Sequence, residues 1–217
     1  MFDALLFLHI LAGVLALAAA GAALGAAKGG RLHRRAGGAY AAAMAAVGLS
    51  ALVLALARPS PFLFAVGVFS LFLVFTGWRA ATVRDGRPRP VDHAGGAVMA
   101  ASGLAMLGWG GWGLATGAGA QPVILLVFGA IGLSMAAADL RAWRRGPIAG
   151  KDRIARHLGR MLGGVIATVT AAGVVNLGFL PDLLVWLGPT VLITPVIAWW
   201  TARVTRGAAP LDRRTAP

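Results

Sequence analysis

The chain has no cysteine, no glutamate and only seven acidic residues, all of them aspartate, in 217. Without thiols, disulfides, iron–sulfur clusters, thiolate zinc sites and cysteine nucleophiles are excluded. Any metal or haem would have to be held by histidine, methionine, tyrosine or carboxylate. Charge of either sign is scarce, 12% of residues against 59% hydrophobic, where a soluble domain carries about 25% charged residues. A separate soluble domain therefore has no room in the chain. The sequence also lacks a Walker loop, a G-x-S-x-G elbow and an H-E-x-x-H helix, the signatures of nucleotide, serine-hydrolase and zinc-protease chemistry.

What is present is arginine and long apolar runs. Seven runs, about Leu5–Ala27, Ala39–Ala57, Pro61–Trp78, Ala94–Thr116, Pro122–Leu140, Met161–Leu180 and Leu183–Ala202, are each long enough to cross a hydrocarbon core,. Nineteen of the twenty Lys and Arg residues cluster after the first, third, fifth and seventh runs, and the other three connections hold only Arg58. Lys/Arg-rich loops stay on the cytoplasmic side. The reading is thus an all-α bundle of seven transmembrane helices over residues 1–206, with its N-terminus outside, its C-terminus cytoplasmic and a short basic tail at 207–217. The first run lacks a basic leader and carries Asp3 instead, so it reads as a retained helix rather than a cleaved signal. Eighteen Arg against two Lys, with abundant Ala and Gly, suggest a bacterial inner-membrane protein.

A net charge of +13 could point to nucleic acid. The basic residues sit at the ends of apolar runs without aromatic interleaving, so they read as topology signals and contacts for anionic lipid head groups, with no nucleic-acid partner. Glycines such as Gly13, Gly21, Gly25, Gly163 and Gly164 read as positions of close helix packing. His33, His93 and His157 each precede a Gly-Gly pair at the start of a rising span, a faint sign of a threefold repeat.

Ionisable residues at membrane depth are rare and commonly functional, and two groups stand out. The inner one gathers Asp92, His93, Asp139, His157, Arg160 and Met161 with His33 and Arg34, near Tyr40 and Arg79, all at cytoplasmic helix ends. Helix N-termini lined by His and Arg suit a phosphate or carboxylate. Neutral imidazoles beside Asp suit a divalent metal, and His93 with His157 meet the depth condition for a bis-histidine haem b. The outer group pairs His9 with Asn176 at a common depth about 6 Å below the outer boundary, where a hydrogen bond would tie two helices or form the mouth of a proton path. The seventh run has no lysine for a Schiff base, and the histidine pattern departs from that of seven-helix zinc hydrolases, whose last helix carries ligands.

The segments Leu8-His9-Ile10-Leu11-Ala12-Gly13, Leu32-His33-Arg34-Arg35 with Tyr40 and Met44, Arg156-His157-Leu158-Gly159-Arg160-Met161, Ala167 to Ala171 leading to Val175-Asn176, and Trp186 to Thr190 share one pattern. Over nearly the whole chain it resembles a family of bacterial multi-pass membrane proteins known only as a domain of unknown function. The resemblance implies a common membrane fold and special roles for His9, His33, Arg34, His157, Arg160, Met161 and Asn176, without naming a substrate. The expectation is a non-hydrolytic protein binding a small ligand or redox cofactor at the cytoplasmic His/Arg/Asp cluster. The alternatives are a small transporter or proton-coupled permease using His9 and Asn176, and a structural or assembly subunit.

Overall fold

The computed structural model describes residues 2–207; the rest of the basic tail, with Arg213 and Arg214, lies outside the described residues. Among the described residues there are seven helices and no strand: α1 (Phe2–Gly25), α2 (Arg31–Ala57), α3 (Pro61–Thr82), α4 (Pro90–Ala115), α5 (Gln121–Arg145), α6 (Gly150–Asn176) and α7 (Asp182–Arg206). Each is long and apolar enough to cross a membrane. This is the architecture expected of a multi-pass membrane protein, since a spanning helix satisfies every backbone polar group internally.

Several starts are set by local chemistry. Ser60 accepts the Leu63 amide ahead of Pro61, and Pro90 opens α4 where Asp92 accepts the Arg89 amide. Proline suits these first positions because its missing N–H would have no partner there. At the arginine-rich end the helices outrun the apolar spans. α2 starts at Arg31 rather than Ala39, α6 at Gly150 rather than Met161, and α3 continues to Thr82. Hydropathy stops at the first charge, whereas a helix continues as long as those charges find partners or water. His33, His157 and Arg160 consequently stand on helix faces, with His157 two turns inside α6.

α3 is the hub. It packs against α2, α4, α5 and α6, while α4 pairs closely with α5, α1 with α2, and α6 with α7. Its aromatic face builds the main core, with Phe62, Phe69, Phe72 and Leu73 against Met99, Met106, Ile124, Leu125 and Phe128. A second core joins Ala16 and Ala20 of α1 to Tyr40, Ala41 and Met44 of α2 and Val74 of α3. α1 approaches its neighbours through these alanines. A Cβ at Gly13, Gly21 or Gly25 would meet nothing within 4 Å, so those three glycines are not packing positions, in contrast to the sequence reading. Gly163 and Gly164 do pack closely, against Leu73 and against Tyr40 and Val74.

Although consecutive in the chain, α5 and α6 do not pack against each other. α6 instead returns to α3 and α1. Only long side chains bridge the gap near the arginine-rich end, which is where the polar residues gather.

Candidate functional site

The arginine-rich end holds three polar assemblies. The first is an ion pair at the α3–α4 turn. Arg79 donates from Nε and Nη2 to the two Asp92 oxygens at 2.8 and 2.6 Å, and Asp92 also accepts the Arg89 amide. Such a two-pronged guanidinium–carboxylate pair fixes geometry as well as charge. With every Asp92 oxygen engaged, this pair reads as a clasp between α3 and α4.

The second assembly spans the α5–α6 gap. Asp139, 4% exposed, accepts Arg156 Nη2 at 2.8 Å and Arg160 Nη2 at 2.9 Å, and the same Arg160 nitrogen donates to the Met135 carbonyl. Arg160 is 5% exposed and lies over the Phe72 ring, while Arg156 lies over Trp143. Two guanidinium groups thus share one carboxylate, leaving Arg160 Nη1 and Arg156 Nε buried and without partners.

The third assembly is a pair of histidines. The His33 and His157 rings lie 6.3 Å apart, centre to centre, with planes at 85°. His33 Nδ1 is 3.0 Å from the Ala23 carbonyl of α1, and His157 Nδ1 is 2.9 Å from the Gly77 carbonyl of α3. A carbonyl only accepts, so both Nδ1 atoms carry the hydrogen, and in the neutral ring the lone pair is left on Nε2. Metal-ligating histidines are oriented in the same way, by a backbone carbonyl on the far nitrogen. Both rings are half-buried where α1, α2, α3 and α6 converge. Nearby, Arg153 donates to the Ala80 and Ala81 carbonyls at the end of α3, and Arg34 donates to the Gly29 carbonyl.

The structure therefore regroups the residues singled out in the sequence. His157 meets His33 and not His93, which is exposed with its ring edge on Trp143 at 4.8 Å. The pairing of His93 with His157 for haem is thus not made. Met161 stands one turn after His157 and packs into the α1–α2–α3 core, with its sulfur beside Gly77.

His9 and Asn176 are not brought together either. His9 Nδ1 lies 2.9 Å from Ser50 Oγ, and the Ser50 hydroxyl reaches the Ala46 and Val47 carbonyls of its own helix. With the serine proton committed to its helix, His9 is the donor in the first of these bonds. Asn176 is exposed and donates to the Ala172 carbonyl one turn back. The neighbour facing His9 is α2.

Sequence reasoning missed Ser50 and the bridging role of Arg156, and it met Thr168 only within the segment from Ala167 to Ala171. Thr168 bonds the buried Tyr40 hydroxyl at 3.1 Å and reaches the Gly164 carbonyl and the Met44 sulfur. A polar residue among apolar neighbours is the signal at Ser50 and Thr168. Comparisons with protein families, with characterised proteins and with solved structures give no match, so the functional reading rests on this geometry.

Proposed function

We propose that the chain is a non-hydrolytic membrane protein that binds a redox cofactor, a haem, through His33 and His157 at the arginine-rich end of its bundle. The observation that carries this reading is the histidine pair, two imidazoles 6.3 Å apart, each with Nδ1 tied to a carbonyl and Nε2 left to coordinate. His33 and His157 would hold the haem through their Nε2 atoms, and its iron would supply one-electron chemistry.

The choice of cofactor follows from ligand number and charge. Among the described residues no three His or Asp are placed to hold a metal ion, and a bare zinc ion takes four ligands. A haem iron takes two axial ones. The porphyrin also neutralises most of the metal charge, which suits a site with no carboxylate in the histidine pair. Arg31, Arg34 and Arg35 line an open cleft at the start of α2, a match for propionate carboxylates. Gly37, one turn after His33 on the same face, leaves open space where a Cβ would stand.

The positive-inside rule supports placing this end in the cytoplasm with the N-terminus outside. The arginine-, alanine- and glycine-rich composition supports a bacterial inner membrane with anionic lipids around the basic loops. The segment resemblance to multi-pass membrane proteins of unknown function agrees with a bundle fold and with importance for His33, Arg34, His157 and Arg160.

The test is the absorbance spectrum of the detergent-purified full chain, from cells with ample haem, before and after dithionite. A Soret band that sharpens and shifts on reduction, lost in His33→Ala and in His157→Ala but kept in His93→Ala and His9→Ala, is the expected result. A featureless spectrum from folded protein refutes the reading.

A further inference from the structure

The gap between α5 and α6 is a separate feature from the histidine pair. It forms a groove of about 500 Å³ lined by α5, α6, their connecting turn and Thr201 of α7, with the buried Asp139 and Arg160 and the half-buried Arg156 at its base and the exposed Ala138, Arg145 and Asp152 toward its rim. That size falls within the range of small-ligand sites, about 300–1,000 Å³. Its base carries two guanidinium groups against one carboxylate, at 5% exposure for Arg160 and 4% for Asp139. A buried charge is tolerated when it is paired, and here one positive charge is in excess. Asp152 does not cancel it, because it is exposed and pairs with neither arginine, and the exposed Arg145 adds a further positive charge to the lining.

Hydrogen-bond donors are in excess as well. Arg160 Nη1 and Arg156 Nε are buried and lack an acceptor, and an unsatisfied buried donor of a charged group is costly. Asp139 does not meet this need, because its two oxygens bond the Nη2 atoms of the arginines and reach neither Arg160 Nη1 nor Arg156 Nε. Arg156 and Arg160 are held in place by Asp139, by the Met135 carbonyl and by the faces of Trp143 and Phe72. The guanidinium groups are therefore preorganised, which lowers the cost of binding.

We infer that this groove binds an oxyanion of the phosphate class, carried by a lipid head group or free in solution, with Arg156 and Arg160 as its ligands and Asp139 as the residue that positions them. The apolar lining from Met135, Ala142, Ile148 and Ala155 accommodates the start of an acyl or prenyl chain in the lipid case.

The experiment follows thermal unfolding of the full chain in dodecyl maltoside by tryptophan fluorescence. Three probes are added separately: phosphatidylglycerol, diacylglycerol as its phosphate-free counterpart, and inorganic phosphate at constant ionic strength. The wild type is compared with Arg160→Gln and with Ala138→Trp, which fills the groove from an exposed position and leaves the arginines intact. The expected result is a saturable rise in Tm of about 5 °C with a phosphate-bearing probe, none with diacylglycerol, and loss of the rise in both variants. A rise with phosphatidylglycerol alone assigns the site to lipid, and a rise with inorganic phosphate assigns it to a free anion. If Arg160→Gln does not fold, Ala138→Trp decides. Equal shifts in Ala138→Trp and wild type, or no shift with any phosphate-bearing probe, overturn the proposal. The readout needs no chromophore, so its outcome is separate from that of the spectrum.

Discussion

Asp139 is the residue on which most other polar contacts at the α5–α6 gap depend. Replacing it with alanine would leave Arg160 as a buried cation with the Met135 carbonyl as its remaining hydrogen-bond acceptor and the Phe72 ring beneath it. Breaking a buried pair in this way costs about 3–5 kcal/mol, so Asp139→Ala is expected to lower the chemical-denaturation midpoint sharply. The double variant Asp139→Ala/Arg160→Met should recover part of the loss by removing the stranded charge. Tyr40→Phe is the contrasting case. Thr168 keeps its bond to the Gly164 carbonyl when the tyrosine hydroxyl is removed, and a single interhelical bond in a membrane protein averages about 0.6 kcal/mol. A small drop, near the limit of detection by the same titration, is the expected outcome. At this scale the sequence identified the participants better than their partners. Asp139, Arg160, His33 and His157 stand out as ionisable groups in an apolar chain, but nothing in the sequence pairs residues 33 and 157 or matches His9 with Ser50. Those pairings depend on which helix faces which, and hydropathy carries no such information.

Helix packing here is governed by glycines that admit a neighbouring backbone. A Cβ on Gly103 would lie 3.1 Å from the Gly129 carbonyl oxygen, and one on Gly129 would lie 3.0 Å from the Gly103 carbonyl oxygen. α4 and α5 are thus in backbone contact, the arrangement small residues permit in lipid. Gly129→Val should force the two helices apart at a cost of roughly 1–3 kcal/mol or more, seen as a lower Tm and reduced yield of monodisperse protein. Gly86, in the α3–α4 turn, has φ +65° and packs directly on the Ile148 backbone, accepting its amide at 2.9 Å. No L side chain fits that position, so Gly86→Ala is expected to detach the α3–α4 turn from the α5–α6 turn. Hydrogen exchange at the Ile148 amide would report the loss. The sequence announces the existence of each helix through its apolar run. It hides the ends at Arg31, Thr82 and Gly150, because charged turns that fold into helix look like loops to a hydropathy window. Those hidden turns carry His33, His157 and Arg160.

The described residues form a seven-helix assembly organised around α3, in which α1 and α7 expose much of their apolar surface, including Phe7, Leu8, Ile10, Leu184, Val191 and Leu192. Such faces suit lipid contact. The chain has no native cysteine, which makes its threading easy to measure. Single cysteines placed at Gly29, Asp85 or Pro147 should resist a membrane-impermeant maleimide in intact cells and react after permeabilisation. Pro59→Cys and Ala118→Cys, in turns at the opposite end of the bundle, should label from outside without permeabilisation. The reverse pattern would invert the orientation inferred from the arginine clusters.

The parting of α5 from α6 has a further consequence for supply. α7, which contributes Thr201 to the groove, contains Pro189 and Pro195 and buries only Val185. In a bilayer, an opening between helices that are held apart would face the membrane plane as well as the water. A lipid occupant would enter sideways from its own leaflet, so the relevant concentration is a mole fraction in the membrane and not a molarity in solution. Occupancy would then follow lipid composition, and a change in the anionic fraction of one leaflet would be registered directly by this pair of arginines.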